Sequence, residues 1–151
     1  FPYFFLISNH EKGIPIFMQK LNAGFAKYFN LKYNRKGALF GSRYRDVIAK
    51  TQFQSDAVSR YVSIINPLDV HQAGWREEGL KNSKKAFQFL ENYQFSSFPD
   101  KIGKRKSKIL APLEILEKYL TISPRKINDY REFVEEFLKE RSNFSRSFYI
   151  E

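Results

Sequence analysis

A chain of 151 residues, 42% of them hydrophobic and 17% aromatic, is long enough to bury one core and too apolar to be disordered. It contains no cysteine, which excludes disulfides, thiolate zinc sites and cysteine nucleophiles, and no apolar run approaching the roughly 20 residues that cross a membrane. A soluble, cytoplasmic protein fits both observations. The formal charge of +10 is unevenly spread, with nine Lys/Arg against two acids in residues 1–50, five against six in residues 51–100, and twelve against eight in residues 101–151. A basic first third followed by a near-neutral middle points to a localised patch that meets a polyanion.

Residues 1–7 (FPYFFLI) read as a buried strand, and a chain opening inside an apolar strand is expected to lack an upstream part. A polar turn over residues 8–13 leads to a helix with Pro15 in its first turn. There Phe17, Met18, Leu21, Phe25, Tyr28 and Phe29 repeat at helical spacing as a core stripe, and the helix should fray near Asn34 and stop at Gly37. Residues 38–49 suit a short strand or extended loop. A second helix is expected over residues 55–65, ending at Asn66-Pro67 because the residue before proline avoids helical angles. A third is expected near residues 83–93, then a turn at 94–99 and an exposed basic run at 101–108 (KIGKRKSK). The last 40 or so residues read as helical: an amphipathic stretch at 109–119, then a helix begun by Ser123-Pro124 and running through Arg141.

Little in this order carries catalytic chemistry. His10 and His71 stand alone in turn-like contexts, and no metal-ligand pair can be written from them. Glu77-Glu78 and Glu135-Glu136 are neighbours that diverge on a helical surface. Tyr61 is the one side chain with nucleophile potential, because Asn66 sets an amide oxygen about one turn away; a core or interface tyrosine is the plainer reading.

The most informative stretch is residues 30–49, NLKYNRKGALFGSRYRDVIA. It sets Lys32, Arg35, Lys36, Arg43 and Arg45 among Tyr33, Phe40 and Tyr44, with Asp46 as its only acid. Cations that neutralise phosphates, interleaved with aromatic faces that stack on bases, are what a nucleic-acid groove requires.

Four blocks in order also carry a family resemblance: EKGIPIFMQKLNAGFAKYFNLKYNRKGALFGSRYRD, SRYVSIINPLDV, Trp75, and YQFSSF at 93–98. Over about residues 3–110 the chain resembles the REP-associated and related single-tyrosine (HUH-type) transposases of bacterial insertion sequences. The resemblance implies an α+β fold, an antiparallel sheet backed by helices in a ferredoxin-like core. That core would be incomplete at its N-terminus and span residues 1–109, with residues 110–151 a helical C-terminal extension. It implies binding of single-stranded or hairpin DNA by monomers or homodimers. It also implies strand cleavage and joining through a 5′-phosphotyrosine, with Mg²⁺ or Mn²⁺ on a His-hydrophobic-His motif. Carried over, the nucleophile falls on Tyr61, the third metal ligand on Asn66, and the DNA path on Lys32, Tyr33, Arg35, Lys36, Arg43, Tyr44 and Arg45. Two departures stand out. Where the family has its histidines, this chain has Phe4-Phe5-Leu6, and phenylalanine ligates no metal. Tyr61 lies five residues before Asn66 rather than four, which moves the two off a common helix face unless the helix bulges. Together they point to a decayed or incomplete copy whose DNA-binding surface outlasts its chemistry. A domesticated DNA-binding protein and a basic structural domain without a nucleic-acid role are the other readings.

Overall fold

The structure, a computed structural model, describes residues 3–111, 115, 118–119 and 127–142. Among the described residues all regular secondary structure is helical. The expected antiparallel sheet, and with it the α+β ferredoxin-like core, is therefore corrected. Residues 3–7 and 38–49 run as irregular backbone with no ladder, and residues 1–2 of the expected first strand lie outside the described residues. A strand persists only when a neighbour takes up its N–H and C=O groups. Residues 38–49 make a poor neighbour, broken by Gly41-Ser42 and carrying charged residues at 43, 45 and 46.

The chain divides into two compact units, Phe4–Ile48 and residues 49–151 together with the first three residues. In the smaller unit a single helix, α1 (Gly13–Lys32), carries Pro15 in its first turn as expected. Its aromatic stripe is only partly core. Met18 is buried and Phe29 half-buried, but Phe17, Phe25 and Tyr28 are 46%, 48% and 55% exposed. A unit with one helix has no second helix against which to close the whole apolar face. The helix ends in a Schellman turn: Arg35 N donates to Asn30 O at 2.8 Å and Asn34 N to Leu31 O at 3.4 Å, with Asn34 left-handed at φ 49°. Asparagine takes that conformation more readily than most side chains, which places the end of α1 near the position expected.

The larger unit begins with α2 (Gln52–Arg60), capped by the Thr51 side chain, which accepts from Gln54 N at 3.2 Å. Thr51 thus outcompetes Ser55, the expected start. The chain then passes through a π-helical turn, Tyr61–Ile65, directly into α3 (Asn66–His71). The expected stop at Asn66-Pro67 is corrected: Pro67 enters the first turn of the next helix, where a missing N–H is tolerated. Short α4 (Trp75–Glu78), α5 (Ser83–Asn92), α6 (Phe98–Lys101) and the long α7 (Ile127–Ser142) follow. Asn82 caps α5 by accepting from Lys85 N at 2.9 Å. The core joins Ile64 and Leu68 to Trp75, Phe87, Leu90 and Phe98, and closes on Tyr130, Val134 and Leu138 at four-residue spacing along α7. Of the helix expected over residues 109–119, residues 109–111 are not helical and residues 112–114 and 116–117 lie outside the described residues, as does the Ser123-Pro124 start.

The basic run at 101–108 also needs correcting. Lys101 is buried, and Arg105 is engaged inside the fold, donating to the Asp100 carboxylate, to Gln94 O and to Ser96 O. Only Lys104, Lys106 and Lys108 of that run present their charges to solvent.

Candidate nucleic-acid interface and tyrosine site

The C-terminal turn of α1 gathers part of the expected DNA path. Lys32 Nζ lies 5.6 Å from the Tyr28 ring centroid and 5.5 Å from that of Tyr33. The Arg35 guanidinium lies 5.7 Å from the Phe29 ring, which in turn sits 4.4 Å from Tyr33. The Schellman turn folds Arg35 back over its own helix, and Asn30 Nδ2 donating to Gly37 O at 2.8 Å ties down the loop that follows. Sequence reasoning missed Tyr28 here, because it belongs to the apolar stripe expected in the core. Lys36, Arg43 and Arg45 are exposed and Tyr44 half-buried in the irregular segment beyond. Among the described residues none of the five cations is ion-paired. A cation resting on a ring keeps its full charge, whereas a carboxylate partner would cancel it. Lys32 and Arg35 are thus oriented yet still able to meet phosphates.

The larger unit holds Tyr61 and Asn66. In a regular α-helix five residues leave two side chains about 140° apart. Here Asn66 N donates to Tyr61 O across the π-turn, which places the fifth residue over the first. The wider turn brings Tyr61 and Asn66, both half-buried, toward one side of the helix. Around Tyr61 stand residues that the sequence did not single out for chemistry. Gly74, left-handed at φ 76°, turns the chain into α4 and brings Trp75 and Arg76 back to α3. Asp69 Oδ1 accepts from Trp75 Nε1 and Arg76 Nε, both at 2.9 Å, and Oδ2 accepts from Arg76 Nη2 at 2.5 Å.

Hydrogen bonds from Arg76 hold the Asp69 carboxyl below its ordinary range, and Arg76 is raised in return by Asp69 and by its contact with Tyr61. The guanidinium lies 5.6 Å from the Tyr61 ring, and the Tyr3 ring meets the same ring edge-on at 5.4 Å. Hydrogen bonding with Tyr61 raises the Tyr3 hydroxyl's pKa. The Asp69 carboxylate occupies the Nε–Nη2 edge of the guanidinium and offsets its charge, so the clamp fixes Arg76 against the Tyr61 ring rather than leaving a free cation there. The only hint in the sequence was the sharp Ala73-Gly74 turn before Trp75-Arg76.

A Mg²⁺ or Mn²⁺ ion fits these residues poorly. Hard cations take about six oxygen ligands, carboxylates first among them. Asn66 offers one amide oxygen, Phe4 and Phe5 offer none, and no group of three His, Asp or Glu suited to a metal exists among the described residues. His10 Nδ1 is taken locally, accepting from Lys12 N at 3.2 Å. No helix among the described residues is long and apolar enough to cross a membrane. No family model, curated protein or solved structure matches the chain.

Proposed function

We propose that this is a transposase-like protein whose working property is binding of single-stranded or hairpin DNA through residues 28–45. The observation that carries the reading is the exposed set of cations interleaved with exposed rings at the end of α1. Phosphates would meet Lys32, Arg35, Lys36, Arg43 and Arg45, and bases would stack on Tyr28, Tyr33 or Tyr44. The test is fluorescence anisotropy with a hairpin-forming single strand between 50 and 200 mM salt. The double variant Arg43→Ala/Arg45→Ala should reduce the magnitude of the salt slope by about 1.4, roughly 0.7 for each phosphate no longer neutralised. Both side chains are exposed, so thermal stability should not change. Unchanged affinity and slope would remove this segment from the DNA path.

Strand cleavage is a second reading, favoured by the alignment of Tyr61 with Asn66 and by Arg76 at the Tyr61 ring. In that chemistry the Tyr61 oxygen forms a bond to phosphorus while the bond to the 3′-oxygen breaks, leaving a phosphotyrosine and a 3′-hydroxyl. Because the donor set for the metal is deficient, incubation with hairpin DNA and Mg²⁺ or Mn²⁺ is expected to give no adduct that survives denaturation. An adduct that disappears in Tyr61→Phe would establish the second reading.

A further inference from the structure

Outside both sites, α5 and the loop after it carry a run of rings that neither reading uses. His71 and Phe89 lie 4.8 Å apart at 31°, Phe89 and Tyr93 stack at 5.0 Å and 27°, and Phe95 closes on Tyr93 edge-to-face at 5.8 Å. The inner rings are half-buried, while Phe95, the outer end, is 79% exposed. Ser96 and Phe98, both buried, hold that loop in the core, so the open Phe95 ring is carried on a fixed support at the end of the run of rings.

The electrostatics of the same segment are one-sided. Residues 81–108 include six exposed lysines: Lys81, Lys84, Lys85, Lys104, Lys106 and Lys108. Their two acids are already neutralised, Glu91 by Arg131 at 2.6 Å and Asp100 by Arg105 at 2.5 Å. Among the described residues none of the six lysines is ion-paired. The placement also interleaves charge with rings. Lys85 precedes Phe89 by one helical turn, and Phe89 precedes Tyr93 by another, so the three share a face. At the far end Lys104 Nζ donates to the Asn92 side chain at 3.0 Å, beside Tyr93.

We infer that the His71–Phe89–Tyr93–Phe95 ladder is a second binding surface, built to take a single strand of nucleic acid. A base would stack on the exposed face of Phe95 while its phosphates run among the lysines. Charge and the open ring together define the occupant. A duplex offers phosphates but keeps its bases stacked inside, and an apolar protein partner has no use for six uncompensated cations.

The test uses the full chain and fluorescently labelled oligothymidylate, with a duplex of equal length as control. Phe95→Ala should weaken single-strand binding about tenfold, the loss of one stacked base, and leave duplex binding unchanged. Phe95→Trp should restore affinity and show tryptophan quenching on titration. Lys106→Ala/Lys108→Ala should reduce the magnitude of the salt slope by about 1.4. The Phe95→Ala loss should persist in the Arg43→Ala/Arg45→Ala background, so failure here and failure of the residue 28–45 site give different results. Single-strand affinity indifferent to Phe95→Ala would overturn the inference and leave that other site standing. So would sedimentation showing that Phe95→Ala dissolves a dimer, which would assign the ladder to contact between chains.

Discussion

Lys101→Met is expected to abolish a rise in stability of about 2–3 kcal/mol that the parent chain undergoes between pH 7 and pH 10. Lys101 is buried on α6, donating to Ser59 Oγ at 2.6 Å and Ser63 Oγ at 3.1 Å, with the Tyr130 ring 5.6 Å away. Burial lowers its pKa from 10.5 to about 8, against a smaller opposing pull from buried Asp56. The sign follows from proton counting. Between about pH 8 and 10.5 the unfolded chain holds a proton on this amine that the folded chain has released, so stability rises with pH across that window. Below it both states are charged and the desolvation cost stands in full. Each pH unit in the window corresponds to about 1.4 kcal/mol. Tyr130 works the other way: burial lifts its hydroxyl to about 12, so its contribution fades only as pH climbs from 10 through 12. Urea unfolding of both proteins at pH 7, 8, 9 and 10 isolates the lysine. Parallel stability curves would show that Lys101 carries no desolvation cost in the fold.

Ser96→Ala is expected to destabilise the larger unit by about 2 kcal/mol, more than its small volume suggests. The cause lies 33 residues earlier, at Ser63. In a regular helix residue 67 donates to the carbonyl of residue 63, but Pro67 has no N–H, and the π-turn adds a further residue whose carbonyl needs a donor. Ser96 Oγ donates to Ser63 O at 2.9 Å and itself accepts from Phe98 N at 3.0 Å. One buried hydroxyl thus serves both the irregular helix and the start of α6. Removing it leaves a buried carbonyl and a buried amide without partners, while Ser96→Thr keeps the oxygen and should recover part of the loss. Chemical denaturation of the three proteins measures it. A cost below about 0.5 kcal/mol for alanine would show that the carbonyl is satisfied otherwise.

Helices were legible where local chemistry decides them. The apolar spacing of α1 and the start of α5 near residue 83 are set within one turn of chain, whereas α4 over Trp75–Glu78 was not expected. The expected first strand failed because a strand is defined by a partner that no local pattern supplies, and residues 3–7 found none, while residues 38–49 took the loop form of the two expected for them. Lys101 reads as solvent-facing in KIGKRKSK because its seryl partners lie about 40 residues upstream in sequence. The candidate sites divide the same way. Lys32, Tyr33 and Arg35 are neighbours in the chain and in space, so their cluster was readable. The Asp69–Arg76 clamp on Tyr61 needed the turn at Gly74 to bring it back, and Tyr28 was hidden by its place in an apolar stripe.

The π-turn at Tyr61–Ile65 has a consequence for how this chain can change in length. An inserted residue in a straight buried helix rotates everything beyond it by about 100°, which would swing Leu68 out of the core and set Pro67 in its place. Taken up as a bulge, the same insertion leaves both flanks in phase, and Ile64 and Leu68 remain in one core. The segment is therefore a point where gain or loss of a single codon is survivable. Chains differing by one residue between Tyr61 and Asn66 can share a core, so counting residues between motifs is a poor guide to their kinship.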